Sequence, residues 1–122
     1  MAEYPNELQY TREHEWLSAD GRVGITDYAQ DSLGDVVFVE LPEVGTVVES
    51  GETVGVIESV KSVSDLYSPA AGRISRVNEA LRDQPELINQ DPFGDGWIFA
   101  LDDAVPGDVL SADGYRAVVE GD

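Results

Sequence analysis

The chain has 122 residues and a formal net charge of −18, from seven basic and 25 acidic side chains. That length fits one domain over residues 1–122, long enough for a core that needs no covalent staples. The acid excess excludes phosphate-backbone and anionic-membrane partners, the absence of cysteine excludes disulfides and thiolate sites, and a single histidine, His14, excludes a His-rich metal cluster.

In chain order, residues 7–17 read as an extended start in which Leu8 and Tyr10 alternate with polar neighbours. Ala19-Asp20-Gly21-Arg22 supplies a turn, and a strand resumes over 22–25. A short helix is predicted over Tyr28–Leu33, with Asp27 as N-cap, Gln30 three residues on, and Gly34 as the stop. Asp35–Leu41 is a strong strand of β-branched and aromatic residues, ended by Pro42. Thr46–Val48, a turn at Glu49–Gly51, and a strand over Thr53–Glu58 follow, and Leu66-Tyr67 begins the return. Ser68–Gly72 reads as a turn, Arg73–Val77 alternates, and Asn78–Asn89 is a connector with one helical turn after Pro85. Trp97–Leu101 is a further strand, and Ser111 caps a short helix over Gly114–Val119. Short strands between regular turns imply a mainly β sandwich or barrel, with short peripheral helices at about 28–33 and near the C-terminus.

The sequence contains no apolar run of 18 residues, so no membrane span is expected. The first residues lack a basic, apolar or Arg-rich leader, and the expected location is cytoplasmic. Carboxylates are spread along the whole chain, which reads as solubility in a salt-rich medium more than as steering toward one basic partner.

Six of the seven basic residues are arginine; the only lysine is Lys61. Two similar strand-turn-strand halves flank it: Val44-Gly45, Gly51 and Val54 before, Leu66, Pro69, Gly72 and Ile74 after. A hairpin joining such halves would put Lys61 at an exposed turn within the polar stretch Glu58-Ser59-Val60-Lys61-Ser62. A modifying ligase needs that presentation, and acylation would remove the charge and let the arm enter apolar clefts. The local peptide alone fits an ordinary solvated lysine equally well.

Glu58-Ser59-Val60-Lys61-Ser62, continued by Ser64-Asp65-Leu66-Tyr67-Ser68-Pro69, resembles the lipoyl-acceptor motif of glycine cleavage system H proteins. His14-Glu15-Trp16, the stretch from Gly24 to Gln30, Leu33 to Pro42, Leu87-Ile88-Asn89, Asp91-Pro92 and Gly96-Trp97 extend the resemblance over roughly residues 7–101. Lipoyl domains of 2-oxo acid dehydrogenases would share only the acceptor peptide. Biotin carriers place methionines beside their lysine, where this chain has Val60 and Ser62.

The resemblance implies a barrel-sandwich hybrid of two antiparallel sheets. It also implies a monomeric, non-catalytic carrier with one lipoate on Lys61. The carrier takes the aminomethyl group of glycine from a pyridoxal-phosphate decarboxylase to a folate-dependent aminomethyltransferase, and dihydrolipoamide dehydrogenase reoxidises the dithiol. A lipoate ligase or octanoyltransferase would load Lys61. Glu15 and Asp65 match family acids that cradle the loaded arm, as suits a carboxylate facing an ammonium. Glu13 falls where some members carry a serine and is read as a solvated acid.

No serine or cysteine nucleophile in a triad is evident to give His14 a general-base role, and it reads as structural. Trp16, Phe38, Trp97 and Phe99 read as core. Neither a calcium loop nor a phosphate or dinucleotide loop is present. Two alternatives stand beside the carrier: an H-like protein relaying lipoate to other proteins, and an enzyme using Lys61 as a Schiff-base nucleophile, which would require a desolvated lysine in a pocket.

Overall fold

Nine strands and four short helices make up the computed structural model, which describes residues 4–121. Six strands form one antiparallel sheet: β1 (Gln9–Tyr10), β2 (Glu15–Leu17), β3 (Arg22–Ile25), β9 (Phe99–Pro106), β8 (Ala70–Val77) and β5 (Val47–Val48), in that spatial order. The other three, β4 (Val36–Glu40), β6 (Thr53–Ser59) and β7 (Val63–Tyr67), form a second antiparallel sheet with β6 central. The two-sheet, mainly β expectation holds, and neither sheet closes on itself.

The main core draws on both sheets: Val23, Ile74 and Phe99 from the larger, Val39, Ile57 and Leu66 from the smaller, with Leu81 and Ile88 plugging it from the connector. A second cluster lies under the C-terminal helix α4 (Ala112–Glu120), where Tyr4, Leu8, Tyr10, Trp16 and Tyr115 meet. Tyr10 and Tyr115 stack with ring centroids 4.9 Å apart. Among the described residues no helix is long and apolar enough to cross a membrane.

Several elements depart from the sequence reading for identifiable reasons. The extended start is two strands, broken at 11–14 by a turn in which His14 takes φ 75. Helix α1 (Asp27–Leu33) is capped by Thr26, whose hydroxyl accepts the Ala29 N–H; Asp27 instead accepts from the Gln30 amide at 2.8 Å. Gly34 ends the helix as expected. The return strand begins at Val63, so the lysine turn is tighter than the apolar pattern indicated. Gly72 lies inside β8 at a bulge, opposite Val48, where a Cβ would stand 2.9 Å from the Asp102 carbonyl. The connector holds two helical turns, α2 (Ala80–Asp83) and α3 (Leu87–Gln90). The former starts where the Asn78 side chain accepts the Ala80 N–H. Strand β9 begins at Phe99 and runs five residues past Leu101, to Pro106. Ser111 caps α4 by accepting the Gly114 N–H at 3.1 Å, as its position indicated.

Two core assignments change. Phe38 is exposed, because a bulge between Val36 and Phe38 turns Val37 and Phe38 outward while Val36 and Val39 both face in. Trp97 is half-buried against the second cluster with the Arg76 guanidinium 5.2 Å from its ring centre. Trp16 and Phe99 are core.

The ion pairs among the described residues, Arg22–Asp20, Arg82–Glu79 and Arg116–Asp113, are all at the surface and contribute little. With so few cations against so many carboxylates, added salt stabilises by screening self-repulsion. A thermal melt in 1 M sodium chloride should lie at least roughly 5 °C above one in 10 mM; equal midpoints would count against salt adaptation.

Candidate functional site

The hairpin β6–β7 presents Lys61. Its strands pair from Thr53↔Tyr67 to Glu58↔Val63, leaving Ser59 to Ser62 to turn the chain. Ser59 organises the turn: its hydroxyl accepts the N–H groups of Lys61 and Ser62 at 3.3 and 3.1 Å, and its own N–H donates to the Ser62 carbonyl at 2.8 Å. Val60, Lys61, Ser62 and Val63 are all exposed. One strut ties the tip to the body, where the Val60 N–H donates to the Asp35 carbonyl at 3.0 Å.

That strut is braced by Asn89, which sequence reading placed in a connector without a role. Its side-chain oxygen accepts the Val36 N–H at 2.9 Å, and its amide donates to the Gly34 carbonyl at 2.8 Å and to Gln30 at 2.9 Å. Gly34, at φ 80, leaves open the track beside which the Lys61 stem lies; a Cβ there would stand 3.3 Å from Lys61 Cε. Asn89→Ala should cost about 2–3 kcal/mol by leaving the Val36 N–H and Gly34 carbonyl without their partner, measured as a lower denaturation midpoint.

Beside the hairpin a cleft of about 420 Å³ opens between α1 and the chain from Ser62 to Asp65. Ile25, Ala29, Leu33 and Ile57 give it apolar walls, and Glu13, Glu15 and Asp65 give it carboxylates. Glu15 is the unusual one, 2 % exposed in a chain where most acids face solvent. Its carboxylate accepts from the Thr11 hydroxyl at 2.7 Å and from the Tyr67 N–H at 3.2 Å. Burial pushes its pKa up to about 7; those two hydrogen bonds oppose the rise, and the nearby Glu13 charge adds a little to it. Asp65 stands exposed at the rim on β7, two residues before Tyr67. Glu13, read from sequence as a solvated acid, is exposed and also lines the cleft.

His14 is a structural residue of the cleft wall. Its Nδ1 lies 2.7 Å from the Tyr115 hydroxyl, and its ring centre is 4.8 Å from that of Tyr28. Tyr115 and Asn89 are the two site-supporting residues that sequence reading missed. Among the described residues no group of three His, Cys, Asp or Glu side chains is arranged to hold a metal ion.

The arrangement is the exposed Lys61 amine on a hydrogen-bonded hairpin, beside a cleft that has an apolar wall and holds a buried carboxylate. The exposed position of Lys61 is the opposite of the pocket a Schiff-base lysine requires. An acylated Lys61 fits here, because its stem already lies over a residue without a side chain and the cleft offers apolar walls to an uncharged arm.

Comparison with known proteins finds one family throughout. The family model described as glycine cleavage H-protein matches residues 8–116. A glycine cleavage system H protein of Thermus thermophilus is 57 % identical, the match covering 97 % of each chain. That of Bacteroides thetaiotaomicron is 52 % identical, covering 97 % of this chain and 98 % of the other. The crystal structure of an H protein from Mycobacterium marinum superposes with a TM-score of 0.90 at 45 % identity, covering 97 % of this chain and 99 % of that one.

Proposed function

The chain belongs to the glycine cleavage H-protein family, and from that premise we propose that Lys61 is its covalent lipoyl site, one per chain, on a monomeric carrier domain that makes and breaks no bonds itself. The protein serves as the lipoyl carrier of the glycine cleavage system, working with that system's decarboxylase, aminomethyltransferase and dihydrolipoamide dehydrogenase. A lipoate ligase or octanoyltransferase supplies the modification at Lys61.

Lys61 would hold the lipoyl group, which would supply a disulfide on which the partner enzymes can load and unload the aminomethyl group of glycine. The chain's own residues present the arm and shelter its cargo. Ser59 and the Val60–Asp35 strut hold the hairpin so that a ligase reaches the amine without unfolding the domain. Ile25, Ala29, Leu33 and Ile57 keep water from the cargo. Glu15, ionised above about pH 7, faces the cargo ammonium from a dry wall, and Asp65 adds charge at the rim.

The observation that carries this reading is the placement of the sole lysine at the tip of a braced hairpin, next to a cleft with a buried carboxylate. The test is glycine–bicarbonate exchange with the decarboxylase. Lipoylated protein should support exchange and unmodified protein should not; no exchange with fully lipoylated protein would contradict the reading.

A further inference from the structure

We infer that Tyr115, on the C-terminal helix, is a positioning residue for the cleft: its hydroxyl bridges His14 in the cleft wall and Thr26 at the head of α1, and so fixes the turn that carries Glu15. The inference rests on the reading that Glu15 faces the cargo amine.

The bridge is short, and its half toward Thr26 is buried. Tyr115 is fully buried, with its hydroxyl 2.7 Å from His14 Nδ1 and 2.8 Å from Thr26 Oγ1. Both partners belong to the cleft's frame. Thr26 caps α1, whose Ala29, Ser32 and Leu33 form one wall. His14 immediately precedes Glu15 and occupies the left-handed region, which a residue with a Cβ keeps only when its surroundings impose it. The backbone repeats the link, since the Thr26 N–H donates to the His14 carbonyl at 3.0 Å. The His14 N–H in turn donates to the Thr11 carbonyl at 3.1 Å, and the Thr11 hydroxyl donates to Glu15. Residues 11–15 therefore form one tight unit, and the Tyr115 hydroxyl ties it to the C-terminal helix beside an edge-on contact between the His14 and Tyr115 rings, whose centres are 5.7 Å apart.

Tyr115 also packs by its ring, against Tyr4 and Tyr10. That packing would hold α4 without any hydroxyl, so the hydroxyl has a separate task. Removing it leaves the turn held to the head of α1 by the Thr26 N–H to His14 carbonyl bond without its side-chain brace, and loosens it toward water. Glu15 would then become hydrated, lose the burial that raises its pKa, and face the cargo less directly.

The test uses the full chain with Tyr115→Phe, which keeps the ring, and Tyr10→Phe as control. Tyr10 donates its hydroxyl to the Pro5 carbonyl in the same aromatic cluster, away from the cleft. In the unmodified protein, carbon-detected NMR follows the titration of the Glu15 carboxyl, with the cleft neighbours Glu13, His14, Tyr28 and Asp65 retained. Wild type and Tyr10→Phe should titrate near 7, and Tyr115→Phe at or below about 6. In the lipoylated, loaded protein at pH 8, where Glu15 is ionised in all three, loss of the amine should be about tenfold faster in Tyr115→Phe than in either reference. A folded Tyr115→Phe that matches wild type in both readouts would overturn the inference.

If Tyr115→Phe fails to fold, His14→Gly cuts the same link from the other end at a position whose left-handed backbone glycine adopts freely, and the same two outcomes decide. Glu15→Gln separates the two claims. Unchanged amine loss in Glu15→Gln would refute the docking reading while the NMR titration still decides the role of Tyr115. Faster loss in Glu15→Gln with none in Tyr115→Phe or His14→Gly would refute the positioning claim alone.

Discussion

Lys61→Arg should reduce carrier activity in glycine–bicarbonate exchange to background while leaving the fold untouched. The side chain is exposed at a hairpin tip, and the contacts that hold the tip come from Ser59 and from the Val60 and Asp35 backbone, not from the lysine amine. Exposed substitutions of this kind stay within about 0.5 kcal/mol in stability. Arginine keeps the charge and length but cannot form the same acyl amide. The chain has no second lysine to substitute for Lys61. Residual exchange above background, with the melting midpoint unchanged, would mean that another group carries the cargo.

Glu15→Gln should have two opposite effects. The folded protein holds the Glu15 proton more tightly than the unfolded chain, with a pKa raised from 4.5 to about 7. The corresponding stability is fully present below pH 4.5, shrinks as pH rises through about 7, and is absent above it. The rise is worth roughly 3 kcal/mol. Glutamine is neutral throughout and gives up one hydrogen bond, so the variant should exceed wild type in stability by about 2 kcal/mol at pH 8 and fall below it by about 1 kcal/mol near pH 4. Denaturant titrations at the two pH values check this.

Function should move the other way. Losing the charge-assisted contact should speed loss of the amine from loaded protein by about 10- to 100-fold at pH 8. Wild type should approach the variant as pH falls through about 7 and Glu15 takes up its proton. A variant that retains the amine as well as wild type at pH 8 would remove Glu15 from the cleft's function. Both outcomes together would mean that stability is lowered at neutral pH to keep a buried anion facing the cargo.

Which features were legible in the sequence follows from how local their causes are. Strand β3, the Gly34 stop and the Ser111 cap depend on neighbours within four residues, and each stood where the pattern placed it. The lysine hairpin was legible for the same reason. Strand β4 was found, but its facing was not: Val36 to Val39 is continuously apolar, and only the bulge against β6 decides that Val37 and Phe38 face out. Helix α1 has two adjacent cap-competent residues, and which one caps is settled by the path of the chain leaving β3. The support of the site was the least legible part. His14 and Tyr115 are 101 positions apart, and Asn89 reaches Val36 across 53. No spacing pattern encodes such contacts. The raised pKa of Glu15 is likewise invisible in a sequence where most acids are solvated, since it arises from burial between two sheets' worth of neighbours.

The central claim is that Lys61 is the one lipoyl site. Intact-mass measurement after incubation with a lipoate ligase, comparing wild type with Lys61→Arg, tests it most directly. A single lipoyl increment on wild type and none on the variant is the predicted result; an increment on both, or on neither, would contradict it.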